Sequence, residues 1–312
     1  MPDKWKERFK KLFALFENAY SQFSEAKGTL MAAALAYYAL FSVSPLLVLT
    51  ISLSRWLLGE TGIVDELLRR ISAMVTPAVS EALRQLVENY MNNAYQALPT
   101  FLSLGIMFFG ASIVFVQLKT ALNQIWGIVP RPNQNILFIL RTHGLAFASV
   151  MTLGLFLVAL TIGTTIMGSL RVMIFGEQSV LARTFPAVDV LISILLFTFV
   201  FGLIFKVLPD AHIAWRDVWL GALFTAIAFT IGEFFLGLYL GRSSFSSFYG
   251  VAGSVIVLMV WIFYSSQILL LGAAFTKAFA DMFGEKVRPS KSAVLVNNAH
   301  ISQAESDTQP ET

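Results

Sequence analysis

Long uncharged stretches of the chain are separated by short segments that contain most of the charges. Four stretches exceed the roughly 20 residues that an α-helix needs to cross the hydrocarbon core of a membrane; they cover 28–54, 89–118, 142–170 and 243–276. Two further stretches qualify. Stretch 190–205 is short, but Asp189 and Lys206 at its ends can reach the lipid headgroups. Stretch 218–241 is long enough once Glu233, its single charge, is accepted inside the span. The pattern predicts an all-α polytopic membrane protein with six transmembrane helices near 30–53, 98–118, 144–168, 188–208, 218–240 and 252–276.

The segment before the first predicted span has the periodicity of an amphipathic helix. Its apolar residues recur at steps of three and four, with lysines between them: Trp5, Phe9, Leu12, Phe13, Phe16, Tyr20 and Phe23. Such a helix lies in the cytoplasmic membrane interface, with its aromatic face in the lipid and its basic face toward anionic headgroups. We therefore predict an interfacial arm over 1–27. Packing of the same stripe on the protein's own loops is the alternative, and the two can coexist.

The connection 55–97 has two more apolar stripes at helical spacing. The first comprises Val64, Leu67, Leu68, Ile71 and Met74, and the second comprises Val79, Leu83, Leu86 and Tyr90. Thr76 and Pro77 between them are typical of a helix N-cap followed by proline in the first turn. We predict two amphipathic helices in this external loop. Residues 1–284 then form one membrane domain, and the polar segment 285–312 is predicted to be a disordered cytoplasmic tail.

The distribution of Lys and Arg predicts the orientation. Fifteen of these residues fall in the connections on one side of the predicted bundle, which are 1–27, 119–141, 206–217 and 277–312, and seven fall on the other side. Cytoplasmic connections of membrane proteins carry the excess of positive residues. Both chain termini are therefore expected in the cytoplasm.

The composition narrows the function classes. Only 13% of the residues are charged, against about 25% in soluble domains, so the apolar surface is expected to face lipid. A net charge of +3 gives no reason to expect a nucleic-acid partner. The expected partners are membrane lipids and an unidentified solute or lipid substrate. The absence of cysteine excludes disulfides and thiolate metal ligands.

No catalytic or cofactor signature is present in the sequence. The phosphate-binding loop, the dinucleotide-binding glycine motif, the nucleophile elbow and the zinc-binding H-E-x-x-H motif are all missing. The three histidines, His143, His212 and His300, have no metal-ligating neighbour at a suitable spacing. We therefore expect no metal, no cofactor and no enzymatic activity.

Two polar residues inside the predicted spans are candidates for a functional site. Glu233 lies within the fifth span, where an ionisable residue is costly and indicates function by default. The alternative is that Glu233 lies near enough to the outer boundary to be hydrated. Gln267 lies nearer the middle of the sixth span, and a hydrogen bond between helices is the simpler interpretation there.

Two breaks in helical backbone add to this candidate site. Pro45 interrupts the first span, where its missing N–H has to be compensated by neighbours or water. Gly250 and Gly253 begin the sixth span, where they either permit close helix packing or mark an irregular, cavity-lining entry. With Tyr37 and Tyr38 as neutral neighbours of Glu233, these residues predict a substrate path between the first, fifth and sixth spans.

Several stretches resemble the YihY/BrkB family of bacterial inner-membrane proteins, and the resemblance extends over most of 25–283. They are Ala33–Leu47 with its Tyr37-Tyr38 pair, Ala121–Trp126, Trp215–Ala222 and the Tyr249–Ser254 segment continuing to Ala273. The resemblance implies six helices in the bacterial inner membrane. The chain departs from the family pattern near the end of the last span: family members commonly have Gly-Ala-Glu there, whereas this chain has Gly272-Ala273-Ala274.

Family members have been linked to serum resistance, envelope lipids and ribonuclease BN. The missing histidine-rich metal site argues against the nuclease. The leading hypothesis is therefore a transporter, exporter or lipid-handling protein of the cell envelope without its own NTPase. A membrane scaffold or envelope-assembly factor that transports nothing is the alternative.

Overall fold

The protein was analysed as a computed structural model. It describes residues 2–40, 79–81, 84–85, 100–130, 185–242, 251–285, 287–290 and 293–295. Six long helices account for most of these residues: α1 (Pro2–Glu25), α2 (Gly28–Leu40), α3 (Thr100–Trp126), α4 (Phe185–Val207), α5 (Trp215–Arg242) and α6 (Val251–Phe283). Four short strands complete the described chain: β1 (Ile128–Pro130), β2 (Ala211–His212), β3 (Arg288–Pro289) and β4 (Ala293–Leu295).

Three of the described helices are long and apolar enough to cross a membrane. The qualifying segments are Val190–Val207, Trp215–Leu240 and Val255–Phe283, which correspond to the predicted fourth, fifth and sixth spans. Helix α3 covers the predicted second span, and α2 covers the beginning of the first. The predicted third span, 144–168, and the rest of the first lie outside the described residues, so the count of six stays a prediction.

Helices α4, α5 and α6 pack side by side, with α5 in the middle. Phenylalanine rings join α4 to α5: Phe229 lies 5.0 Å from Phe197 and 5.6 Å from Phe201, measured between ring centroids. Because residues at steps of three and four share a helix face, Phe197 and Phe201 meet Phe229 together. Dispersion between these aromatic surfaces contributes to the packing of the two helices.

Small residues let α5 and α6 approach closely. A Cβ at Gly221 would collide with the side chain of Thr276, and a Cβ at Gly272 would collide with that of Thr225. Each threonine hydroxyl donates a 2.7 Å hydrogen bond to the backbone carbonyl four residues earlier, so no polar group is left unpaired in the contact. This reciprocal pairing fixes the antiparallel register of the two helices, as small residues commonly do in membrane bundles.

The N-terminal helix α1 packs across the last turns of α6. Its buried face consists of Leu15 and Ala19, which contact Phe275 and Ala278. The ring of Phe16 also reaches the bundle, 5.6 Å from Phe275 between centroids. Phe23, the last residue of the predicted stripe, is buried in the core of the bundle. Four other residues of the stripe are exposed: Phe9, Leu12, Phe13 and Tyr20. The arm thus packs on the protein by a face next to the predicted stripe, and most of the stripe stays outside that contact.

A sharp turn joins α1 to α2. Lys27 has a φ of 54°, a left-handed conformation that commonly ends helices. At Gly28 a Cβ would collide with the ring of Phe23, so only glycine fits under that ring. The turn lets α1 lie across the bundle while α2 starts in a new direction.

The four strands correct two predictions. Strand β4 pairs antiparallel with β1, and β3 pairs antiparallel with β2. The all-α prediction therefore omits two small ladders, although helices dominate the described chain. The disordered tail predicted from residue 285 is also wrong over 288–289 and 293–295, because these residues find strand partners in the connections after α3 and α4. Residues 296–312 lie outside the described residues.

The predicted external loop is described only at 79–81 and 84–85. Val79 is fully buried against Leu236, Leu240, Val257 and Leu258, at the end of α5 and α6 that lies away from α1. The second predicted stripe thus contributes Val79 to the packing at this end of the bundle. Residues 79–81 and 84–85 are helical, and the rest of the two predicted loop helices lies outside the described residues.

Candidate functional site

The structure places five of the seven predicted site residues. Pro45 and Gly250 lie outside the described residues. Gly253 is buried in the first turn of α6. Tyr37 and Tyr38 lie on α2 with their rings edge to face, 5.5 Å apart between centroids, and Tyr37 is largely exposed. The structure provides no contact between either tyrosine and Glu233, so their predicted partnership stays a prediction.

Glu233 lies on α5 at the boundary between two faces of that helix. It is half-buried and shares a face with the buried residues Phe229 and Leu236, four and three positions away. On its other side, Ile231 and Phe234 are exposed, Phe234 by 65%. Its carboxylate makes no hydrogen bond or ion pair with any residue that the structure describes. The side chain is therefore accessible both from the contact with α6 and from the surrounding lipid.

Tyr264 of α6 was missed as a site residue by the sequence analysis. A Cβ at Gly232 would collide with its hydroxyl, so the phenol lies against the backbone of α5 immediately before Glu233. Tyr264 is half-buried, and within the described part of the chain its hydroxyl has no hydrogen-bond partner. The sequence signal for this contact is the glycine that precedes Glu233, but it became informative only once the register between α5 and α6 was known.

Gln267 follows Tyr264 by about one turn of α6 and is also half-buried. The sequence favours a hydrogen bond between helices for this amide, but no such bond is formed to a described residue. By contrast, the nearby Thr230 donates a 2.9 Å hydrogen bond from its hydroxyl to the carbonyl of Ala226. Glu233, Tyr264 and Gln267 are therefore polar side chains without partners among the described residues, and we call them the membrane polar group.

The register of α5 and α6 separates Glu233 from the position of the missing family glutamate. Ala274 is completely buried and lies beside Gly272, whose partner on α5 is Thr225. Glu233 lies about ten residues farther along α5 than the level of Ala274, and at 1.5 Å per residue this is ~15 Å. Glu233 therefore does not occupy the place of a carboxylate at position 274.

A second polar cluster, which the sequence analysis did not identify, lies at the end of the bundle near α1. Its centre is Asp210, whose carboxylate accepts hydrogen bonds from Asn123 (3.0 Å) and pairs with Lys119 (2.9 Å). The backbone N–H of Asp210 donates to the side-chain oxygen of Asn123 at 2.9 Å, and its carbonyl accepts from the N–H of Ser290 at 2.9 Å. We call this set the junction. It connects α3, the turn after α4 and the segment after α6.

Two lysines next to the junction donate to backbone carbonyls, and one of these carbonyls is at a helix end. Lys206 donates to the carbonyl of Ile213, and its ammonium lies 5.3 Å from the ring centre of Trp215, a favourable cation–π geometry. Lys277 donates a 2.9 Å hydrogen bond to the carbonyl of Ile125 in the last turn of α3. Cations at helix C-termini satisfy carbonyls that have no intrahelical partner. Both lysines therefore have structural partners.

The described residues contain no group of three or more His, Asp or Glu that could hold a metal ion. Within this part of the chain, the membrane polar group offers hydrogen-bond donors, acceptors and one carboxylate. Side chains of this kind can bind a polar headgroup or a polar solute.

Comparison with known proteins agrees with the resemblance seen in the sequence. A family described as Virulence factor BrkB matches residues 19–295. The chain is 25% identical to a UPF0761 membrane protein of Saccharophagus degradans over 86% of the chain and 61% of that relative. It is 24% identical to a UPF0761 membrane protein of Alkalilimnicola ehrlichii, over 80% of the chain and 54% of the relative.

A third relative, a UPF0761 membrane protein of Pseudomonas aeruginosa, is 23% identical over 78% of the chain and 57% of its own length. The chain thus spans less than two thirds of the length of these relatives. No solved structure matches the chain. Since the family match covers 19–295, which includes every described element from the end of α1 to β4, this chain belongs to the BrkB family of membrane proteins.

Proposed function

We propose that the chain is a lipid-handling protein of the bacterial inner membrane, which moves or positions envelope lipids without an NTPase of its own. The observation that carries this proposal is the position of Glu233, a carboxyl at the edge of a packed helix face with no partner among the described residues. A polar group in hydrocarbon is costly unless it is satisfied. A lipid headgroup that enters between α5 and α6 would satisfy it.

The surface next to Glu233 suits the rest of a lipid. Phe234 and Phe235 are exposed by 65% and 63%, and Ile231 lies beside them. Acyl chains can lie along this apolar surface while the headgroup reaches the carboxyl. A substrate that comes from the bilayer therefore fits the site better than a solute that needs a continuous aqueous channel.

The test is a lipid-movement assay with the purified full chain in vesicles of phosphatidylethanolamine and phosphatidylglycerol that contain a trace of fluorescent phospholipid. A membrane-impermeant reductant bleaches only the outer leaflet unless the protein moves lipid across. We expect the wild-type chain to expose both leaflets and Glu233→Gln to slow the movement about tenfold, equivalent to ~1.4 kcal/mol in the barrier. Thr230→Val is the matched control, because its hydroxyl bonds only to its own helix.

A membrane scaffold without transport is the second candidate. It is favoured by the interlocked contact between α5 and α6, in which Gly221 and Gly272 leave no room for either helix to shift. If vesicles with the wild-type chain bleach no further than empty vesicles, lipid movement is excluded for the isolated protein and the scaffold function replaces it.

We also propose that both termini lie in the cytoplasm and that α1 lies in the membrane interface. Two observations support this placement. The connections that are rich in Lys and Arg meet at one end of the described bundle, where α1 packs on α6, β1 pairs with β4 and β2 pairs with β3. In addition, the face of α1 that includes Phe9 and Phe13 is exposed, and Lys10 and Lys11 lie next to it in sequence.

Single cysteines test this placement against a background without native cysteine. With a membrane-impermeant thiol reagent, Ser179→Cys should react from outside the cell, and Lys10→Cys only after the membrane is permeabilised. Phe13→Cys should react slowly under both conditions, because lipid covers it. Labelling of Lys10→Cys from outside would reverse the orientation, and rapid labelling of Phe13→Cys would remove α1 from the interface.

A further inference from the structure

The membrane polar group has a composition that selects among lipid headgroups. Glu233 of α5 and Tyr264 of α6 are brought to the same level by the contact between the Tyr264 hydroxyl and the backbone of Gly232. Gln267 adds an amide about one helical turn away, and Ser265 and Ser266 lie between it and Tyr264. The two helices thus present a carboxylate, a phenol and an amide at one level of the bundle.

These side chains offer four acceptor oxygens. A carboxylate has two acceptor oxygens and no donor, a phenol oxygen can accept as well as donate, and an amide has one acceptor oxygen and two N–H donors. None of the three side chains bonds to a residue that the structure describes. Thr225 and Thr230 on the same helix instead bond to its backbone. The donors and acceptors of the membrane polar group are therefore not used in bonds to α5 or α6.

No cation of α5 or α6 lies at this level. Between Arg216 and Arg242 the chain has no Lys or Arg, and between Arg242 and Lys277 it again has none. Lys277 lies more than three helical turns from Tyr264 and bonds to the carbonyl of Ile125. An anionic phosphate would find no counterion on α5 or α6 at this level, whereas a positively charged donor would find the carboxylate of Glu233.

We propose that Glu233, Tyr264 and Gln267 bind the primary ammonium headgroup of a phospholipid. This inference rests on the proposed lipid-handling function and names its substrate class. A primary ammonium has three N–H donors, which match the carboxylate, the phenol oxygen and the amide oxygen. A quaternary ammonium has the same charge but no N–H to donate, so it leaves the acceptors unsatisfied.

The experiment measures binding independently of lipid movement. The full chain in detergent is mixed with phosphatidylethanolamine, phosphatidylcholine or phosphatidylglycerol of identical acyl chains, and its thermal midpoint is followed as the lipid concentration rises. A ligand that binds only the folded state raises the midpoint, and a tighter ligand does so at a lower concentration. We expect phosphatidylethanolamine to act at the lowest concentration. Glu233→Gln should weaken its apparent affinity about tenfold, equivalent to ~1.4 kcal/mol.

Tyr264→Phe is the second variant. It keeps the ring against Gly232 and removes only the hydroxyl, so folding is preserved while one acceptor is lost. It should reduce the preference for phosphatidylethanolamine over phosphatidylcholine, and Thr230→Val should retain that preference in full. Equal stabilisation by all three lipids, or a preference that survives in Glu233→Gln, would overturn the inference.

The outcomes separate this inference from the proposed function. If the protein moves lipid without a headgroup preference, the proposed lipid-handling function is supported and the proposed ammonium site is rejected. A headgroup preference without movement keeps the ammonium site and points to a scaffold that recruits lipid.

Discussion

At the end of the bundle near α1, the polar side chains of the junction are bonded to one another, whereas those of the membrane polar group are bonded to no described residue. Asp210 alone makes four polar contacts, with Lys119, Asn123 and Ser290. Glu233 makes none within the described chain. Asp210 lies in the turn after α4, where α3 and the segment after α6 reach it, whereas Glu233 lies on α5 at the edge of its packed face.

The difference lies in what each region does for the protein. A polar network whose members satisfy each other stabilises one arrangement, because the loss of any member leaves a buried partner unpaired. Polar groups in a span that lack partners contribute no such bond and add a cost in lipid. The comparison therefore assigns structure to the junction, and it supports the ligand binding that we propose for the membrane polar group. We therefore expect changes in the junction mainly to lower stability, and changes in the membrane polar group mainly to lower function.

The largest effect on stability is expected from Asp210→Ala. The change removes the carboxylate that accepts from the side-chain N–H of Asn123, which is only 4% exposed, while the backbone N–H at position 210 still donates to the Asn123 oxygen. A buried donor left without its acceptor costs about 1–3 kcal/mol. Lys119 adds little, since the Lys119 and Asp210 side chains are 23% and 20% exposed and such pairs are partly screened. Thermal unfolding in detergent measures the loss.

Asp210→Asn is the matched control for this change. Asparagine keeps an oxygen that accepts from Asn123, and it removes only the charge that pairs with Lys119. We expect a loss of less than about 1 kcal/mol. If both variants lost the same stability, the ion pair rather than the hydrogen bonds would hold the junction together.

The smallest effect on stability is expected from Glu233→Leu. Since Glu233 has no protein partner among the described residues, its removal should change the free energy of unfolding by no more than about 0.5 kcal/mol, as for substitutions away from packed or bonded features. The same variant should lose lipid movement. A large loss of stability would show that Glu233 is bonded within the fold and would remove the contrast between the two regions.

Sequence patterns predicted the helices of this protein better than its contacts. The span at α6 follows from uncharged length alone. The span at α4 also required Asp189 and Lys206 at its ends, and the span at α5 required Glu233 to be accepted inside it. Strands β2 and β3 have two residues each, which is too short for any alternation of polar and apolar positions to appear. Their pairing depends on where distant connections meet, which no local pattern encodes.

The same reason explains which site residues were missed. Asp210 and Asn123 are ordinary polar residues of a turn and a helix end until the fold brings them together. Tyr264 became a candidate only through the register that Gly221 and Gly272 impose on α5 and α6. In the arm, periodicity identified a helix with an aromatic stripe, but it did not show that Leu15 and Ala19 form the face that packs on α6.

The pairing of β1 with β4 also determines when this end of the protein can form during synthesis. Ile128 is almost fully buried in this ladder, yet its strand partner Leu295 is synthesised after every helix described above. While the ribosome is still making the later spans, the backbone edge at 128–130 has no partner and Asp210 still lacks the N–H of Ser290. Membrane insertion of the helices therefore precedes closure of this end, and only a nascent chain translated through residue 295 can complete it.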